Sequence, residues 1–453
     1  IASVGGGLLL SACDNSSYSE NTGEDLDNSE NEEINTNATS PTNDTLWTAN
    51  VNNLDTSFSG SGRSSSPYLI SSAQELAGLA YNVNNGNDYS GAYFRQTVNL
   101  DLSAYWWDPI GNSSTIFFSG YYDGNNYTIS GLFTQSDGDY KGLIGNMRDG
   151  GIENVGIIDS TIVGDYYTGG IVGYCDRISI DNSYFNGKVR GLGYYTGGIA
   201  GYCNETTNIR NIYNSGSVNG GDYVGGIAGY IANRSIIDSA YNQGNIGGAY
   251  FVGGIVGYVS EQGSITKSYN TGIITGRFYL GGSVGQCYSN SDLSDLYNSG
   301  TITGNYYVGG LVGSIYPNST ISRSYNLNTI SGYNYVGGIA GETLGTIVNS
   351  FNVGAVSGKG NCVGGIVGRN YSTALTSYCY WGEDCTLENA YGENDNTIEN
   401  CSRLDSNDNI KSESWYTTSS NWNGTYLWNF SSTWDIIFSM NSGYPVLLSV
   451  YPL

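Results

Sequence analysis

The side chains able to do chemistry in this chain are unevenly chosen: 40 carboxylates, eight cysteines and 41 tyrosines accompany no histidine at all. Without histidine there is no imidazole-ligated zinc, no HExxH peptidase chemistry and no Ser-His or Cys-His nucleophile pair. Carboxylate, thiol and phenol chemistry remain. Paired carboxylates could run acid–base or calcium chemistry on a sugar polymer. Yet Asp222, Asp238, Glu261 and Asp295 fall at different phases of the repeat described below, as acids on a solvated face do. Asp405-Ser406-Asn407-Asp408-Asn409 has the look of a calcium-loop opening but lacks the glycine that its sharp turn needs. No metal, no cofactor and no catalytic residue are expected.

The thiols divide into two groups. Cys175, Cys203 and Cys287 share a repeat position with Ile231, Val259 and Ile315, which marks them as small buried hydrophobes. Cys175 and Cys203 would also lie within disulfide reach, although parallel side chains disfavour the required torsion. Cys362, Cys379, Cys385 and Cys401 sit in the irregular C-terminal part, where an exported protein could cross-link.

Phenols offer a broader surface. Tyr174, Tyr202, Tyr230 and Tyr258 occupy one repeat position, continued by Gln286, Ser314 and Glu342. A second stripe holds Tyr166, Tyr194, Asp222, Tyr250, Phe278, Tyr306 and Asn334. Positions that accept Gln, Glu, Asp or Asn are expected to face solvent, so their tyrosines could stack on sugar rings or meet a protein partner. The alternative is strand-favouring tyrosine that stabilises neighbours across coils.

What positions these residues is a repeat. Glycine motifs such as Gly253-Gly254-Ile255-Val256-Gly257 begin at Gly169, Gly197, Gly225, Gly253, Gly281, Gly309, Gly337 and Gly364, 28 residues apart except for the last interval (364 − 337 = 27). A fixed period of this size means stacked like units, none of which buries its apolar face alone. Asn186, Asn214, Asn242, Asn270, Asn298 and Asn326 keep the same period, each preceded by Phe or Tyr. Apolar columns run through Val218, Ile246, Ile274, Ile302 and Ile330, and through Ile209, Ile237, Ile265, Leu293 and Ile321. Lys267, Asp295 and Arg323 form a column of alternating charge, expected to be exposed.

Short β-branched runs punctuated by turn residues are strands. Three such strands with their turns fill one coil of a parallel β-solenoid, right-handed by the usual crossover rule. Nine coils rising ~4.8 Å each would make a rod of roughly 40 Å. The asparagines then form a ladder, each amide bonding its copy in the next coil, and the double glycines allow close packing. No strand-to-helix transition follows the glycines, so they are not a phosphate cradle.

Net charge is −24, concentrated outside the repeats: residues 14–44 hold 9 acids and no base, whereas residues 141–368 hold 13 acids against 11 bases. No basic stripe suits nucleic acid. Leu8-Leu9-Leu10-Ser11-Ala12-Cys13 followed by polar residues resembles a bacterial lipoprotein lipobox, which implies lipid attachment at Cys13 and a membrane partner. No run approaches the ~18 apolar residues of a membrane span. The expected organisation is 1–12 as the remnant of a lipoprotein signal peptide and 13–45 as an acidic flexible tether. Residues 46–140 follow as an N-terminal cap with first irregular coils, 141–378 as the solenoid, and 379–453 as an irregular C-terminal segment and cap.

Taken together, Gly142-Leu143-Ile144-Gly145, Gly309-Gly310-Leu311-Val312-Gly313 and their copies resemble the GLUG repeat of bacterial surface proteins. Flanking matches include Pro67-Tyr68-Leu69-Ile70, Trp107-Asp108-Pro109-Ile110-Gly111 and Asn441-Ser442-Gly443-Tyr444-Pro445. The resemblance covers about residues 46–450. It implies a right-handed β-helix similar to pectate lyases, displayed at the cell envelope as an adhesin-like protein. Some relatives carry a zinc peptidase that cleaves immunoglobulin A, which a chain without histidine cannot reproduce. Where the family has Asp-Gly-Asn-Gly-His, this chain has Asp123-Gly124-Asn125-Asn126-Tyr127. The expectation is a surface-exposed, lipid-anchored binding scaffold for an extracellular glycan or protein. The alternatives are a polysaccharide-active enzyme on the same fold and a structural element that self-associates.

Overall fold

The computed structural model describes residues 40–50, 54–135, 138–395, 399–405, 408–437 and 439–450. Cys13, the expected signal remnant (1–12) and residues 13–39 of the expected tether lie outside those residues. The described chain is an all-β solenoid of about 12 parallel coils, with about 28 residues per coil and almost no helix. A representative coil runs through strands Val256–Val259, Ser264–Asn270, Ile274–Thr275 and Phe278–Gly281, each paired in parallel with its counterpart in the next coil. The apolar columns point inward: Ile209, Ile237, Ile265, Leu293 and Ile321 stack in register, and each is at most 1% exposed. The Cys175–Cys203–Ile231–Val259–Cys287–Ile315 column is equally buried.

The helix Ala73–Asn84 belongs to the same core through Leu76, Leu79, Ala80 and Val83. It starts where Ser72 Oγ accepts from Glu75 N at 3.2 Å, which caps one helix-end donor, while the Glu75 carboxylate reaches back past the cap to accept from Ser71 N at 2.5 Å.

Glycine at the repeat motif is a matter of space. A Cβ on Gly253 would lie 2.0 Å from Val256 O, and one on Gly254 would lie 2.2 Å from Gly282 O. The third glycine, Gly257, passes beneath a corner of the coil, where a Cβ would meet Phe251 O at 2.7 Å. That corner is held in the left-handed region by aromatic residues: Tyr167, Tyr195, Tyr223, Phe251, Tyr279, Tyr307 and Tyr335 all have φ between 54° and 67°. Bulky side chains rarely adopt this conformation. Here each ring stacks on the next, for example Tyr279 on Tyr307 at 4.5 Å and 5°, which offsets the strain.

Inside the motif face runs an amide ladder. Asn214 Nδ2 donates to Asn242 Oδ1 at 2.8 Å, and the pattern repeats through Asn270, Asn298, Asn326 and Asn352. Every one of these residues is fully buried. Each amide also closes its own turn, as Asn270 Nδ2 does on Gly272 O at 2.8 Å. Asn186, expected here by counting 28, is instead exposed, and Phe185 takes the ladder position opposite Asn214. The offset between these coils is 28 at Asp176↔Asn204 (204 − 176) and 29 at Ser179↔Asn208 (208 − 179), so one extra residue at the corner displaces the count. Asn352, two residues short of the period, joins for the converse reason. Phe185 and Trp381 bound the ladder at its ends.

Residues 408–437 and 439–450, expected to cap the rod, lie along its flank. Trp415, Tyr416, Trp422, Trp428, Trp434 and Tyr444 form one apolar cluster with the stacked column Tyr269–Tyr297–Tyr325–Phe351. This corrects the expected exposure of the charged column. Asp295 is 8% exposed; it is bonded by Arg323 at 2.7 Å and 2.8 Å and by Trp434 Nε1 at 2.9 Å. Lys267 pairs with Asp238 at 3.4 Å instead.

Candidate functional site

Three files of aromatic rings run side by side on the glycine-motif side of the rod. The outer stripe contains Tyr166, Tyr194 and Tyr250, exposed at 40%, 41% and 39%, and then half-buried Phe278 and Tyr306, with Asp222 interrupting it. Behind it stands the left-handed corner file from Tyr167 to Tyr335. Tyr174, Tyr202, Tyr230 and Tyr258 form the third file.

The expectation that this third file offers open ring faces is corrected. Its rings stack on one another at 4.8–5.5 Å and 5–8°, so neighbours occupy their faces. The corner rings meet them edge-on, as Tyr195 meets Tyr202 at 5.0 Å and 82°. All four are half-buried, and edges and hydroxyls are what they present. Burial and the neighbouring phenols raise the hydroxyl pKa values of Tyr202 and Tyr258, and that of Tyr195 to about 12, so these groups stay neutral near pH 7.

Gln286, Ser314 and Glu342, which continue the third file, are buried and not exposed. Here the corner rings of Tyr279, Tyr307 and Tyr335 cover a polar core. Ser314 Oγ donates to Glu342 Oε1 at 2.8 Å; the next coil supplies Arg369, which pairs with Glu393 at 2.9 Å and lies 4.5 Å over the Tyr371 ring. Burial pushes the Glu342 carboxyl up to about 7, against the lowering pull of Ser314, Arg369 and Tyr371.

A second candidate lies on a different sheet, in the first irregular coils. Arg95, Asp123, Glu153, Asp181, Arg210 and Asp238 stand in one register column. Beside them runs Tyr93–Tyr121–Gly151–Ser179. Of these, Tyr93, Arg95, Tyr121, Asp123, Gly151, Glu153 and Ser179 line, with Ser64 and Pro67, a cleft of about 440 Å³, and Asp181 stands one coil beyond Glu153 at its edge. Asp222, Asp238, Glu261 and Asp295 indeed occupy separate columns, but counting by 28 missed this row because its intervals are 28, 30 and 28 (123 − 95, 153 − 123, 181 − 153). Asp123 is committed to Arg95 at 2.9 Å and Asn154 at 2.9 Å. Glu153 reaches solvent, yet the cleft wall and the charges of Asp123 and Asp181 raise its carboxyl pKa.

Cys175, Cys203, Cys287, Cys379, Cys385 and Cys401 carry free thiols; burial raises those of Cys175, Cys287 and Cys379 and leaves them unreactive. Among the described residues no group of three or more Cys, Asp or Glu side chains is arranged to hold a metal ion, and no helix is long and apolar enough to cross a membrane.

No protein-family model matches the chain. Among curated proteins it is similar to Halomucin of Haloquadratum walsbyi, 30% identical over 145 residues, which is 30% of this chain and 2% of that protein's length. Among solved structures it is similar to a Bacteroides ovatus protein provisionally described as an immunoglobulin A1 protease. That match has 17% identity and a TM-score of 0.42, covering 86% of this chain and 95% of the other.

Proposed function

We propose that this β-solenoid is an extracellular binding scaffold, anchored to the bacterial envelope by lipid on Cys13 and engaging an extended glycan or protein ligand through its tyrosine wall. The observation that carries the reading is the exposed stripe of Tyr166, Tyr194 and Tyr250, backed by two files of interlocked rings. Tyrosine supplies large contact area with few rotatable bonds, and packing from behind leaves little entropy to lose on binding. Repetition at a ~4.8 Å rise suits an extended ligand, with each contact worth on the order of 0.5–1.5 kcal/mol and useful through number. The GLUG-like motifs and the lipobox-like Cys13 segment agree with surface display.

The test is a screen of the purified protein against glycans and extracellular matrix proteins, repeated with Tyr194→Ala/Tyr250→Ala and with chelator. Binding should weaken in the double variant while circular dichroism stays unchanged, and chelator should have no effect. Equal binding by parent and variant would make the wall purely structural. Cys13→Ser should abolish incorporation of labelled fatty acid; continued labelling would refute the anchor.

A second reading, a polysaccharide-active enzyme, is favoured by the carboxylate row in the cleft. New reducing ends released from a polysaccharide, and lost in Glu153→Gln, would establish it in place of the scaffold.

A further inference from the structure

We propose that the cleft on the first coils is a subsite for one neutral hexopyranose ring, which stacks on the open face of Tyr121 while its hydroxyls donate to Glu153 and Asp181. Unlike the stacked file of Tyr174, Tyr202, Tyr230 and Tyr258, this site offers a ring face. Tyr93 covers one side of Tyr121 at 4.7 Å and 11°. The next two register positions are Gly151 and Ser179, so no ring continues the stack and Tyr121 is 38% exposed. An aromatic face of this kind packs against the C–H face of a pyranose.

Polar partners stand alongside. The Asp123 carboxylate is saturated by Arg95, Asn125 N and Asn154. Those of Glu153 and Asp181 have no hydrogen-bond partner among the described residues, and one coil rise of ~4.8 Å separates their strand positions, within the span of one sugar's hydroxyls. Ser64 and Pro67 also line the cleft. Charge sets the class of sugar. The one guanidinium lining the cleft, Arg95, is already paired with Asp123. Arg210 stands one coil beyond Asp181 but forms no salt bridge with it, so two carboxylates outweigh one outlying guanidinium, repel a uronate and accept hydroxyl donors.

Saturation-transfer NMR on the full chain tests this with methyl β-D-glucopyranoside, methyl β-D-galactopyranoside, galacturonate and tetramethylammonium. At least one neutral glycoside should bind with Kd on the order of 1–10 mM, as one stacking contact and a few hydrogen bonds allow. Tyr121→Ala and Glu153→Gln should each weaken it at least fivefold, whereas Tyr121→Phe should preserve it. Tyr194→Ala/Tyr250→Ala should leave it unchanged, which separates this site from the tyrosine wall. Transfer to neither glycoside, equal or tighter binding of galacturonate or tetramethylammonium, or unaltered affinity in Tyr121→Ala would overturn the proposal. So would loss of binding in a folded Tyr121→Phe.

Discussion

Two buried side chains show how differently polarity is handled along one column system. Asn270 is fully buried and bonds Asn242, Asn298 and Gly272, so removing it strands partners in a dry interior. Asn270→Ala should cost about 1–3 kcal/mol, whereas Lys267→Ala, at a half-exposed pair with Asp238, should cost about 0.2–1 kcal/mol. Denaturant titration checks the order, and equal losses would mean that the ladder contributes nothing special. Asp295 does not serve as an exposed comparison, because Arg323 and Trp434 both bond it.

Glu342 carries the opposite lesson. Burial raises its carboxyl from an ordinary 4.5 to about 7, with Ser314, Arg369, Tyr371 and the Tyr307 and Tyr316 phenols around it. A raised folded-state pKa gives stability that is fully present below about 4.5 and is lost as pH rises through 7. The parent should therefore lose stability relative to Glu342→Gln between pH 4.5 and pH 8, by a ceiling of roughly 3 kcal/mol. Melting both proteins across that range gives the answer; parallel curves would show that Glu342 stays ionised without penalty.

At the scale of the element, the glycine motif, the ladder and the aromatic corner are one device. The second glycine gives the ladder asparagine its room: a Cβ on Gly254 would lie 2.5 Å from Asn270 Cγ. The third lets the left-handed corner pass over it. Gly254→Ala should therefore destabilise by about 1–3 kcal/mol or more through overpacking, although alanine favours ordered backbone over glycine elsewhere. Gly424→Ala, with nothing within 4 Å of the added carbon, is the control. A Gly254→Ala protein as stable as that control would show that the coils can separate without cost.

For the whole molecule, the C-terminal segment is a lateral brace. Its tryptophans cover Tyr297, Tyr325 and Phe351, and Tyr241 packs at the margin of the same cluster, while the earlier members of that column, Tyr184 and Tyr213, stay half-buried without it. Deleting residues 408–453 should uncover an apolar strip, increase hydrophobic-dye binding and promote association in size-exclusion chromatography. A deletion variant that stays monodisperse and dye-silent would mean that the segment is dispensable to the rod.

The sequence by itself determined the architecture. A 28-residue period of glycine, asparagine and β-branched positions leaves few ways to bury its apolar columns except coil upon coil, and the ladder was legible because identical residues recur at identical phases. It did not determine which columns meet water, because exposure depends on what packs outside the coil. Tyr174 and its copies looked open, yet the corner file beginning at Tyr167, two residues ahead of each double glycine, lies against them. The Asp295 column looked open until a segment about 140 residues later (434 − 295 = 139) covered it. The Arg95–Asp123–Glu153–Asp181 row escaped notice because coils of unequal length bring its members into register only in three dimensions. Periodicity fixes what repeats within a coil, whereas insertions at corners and long-range packing decide what those residues face.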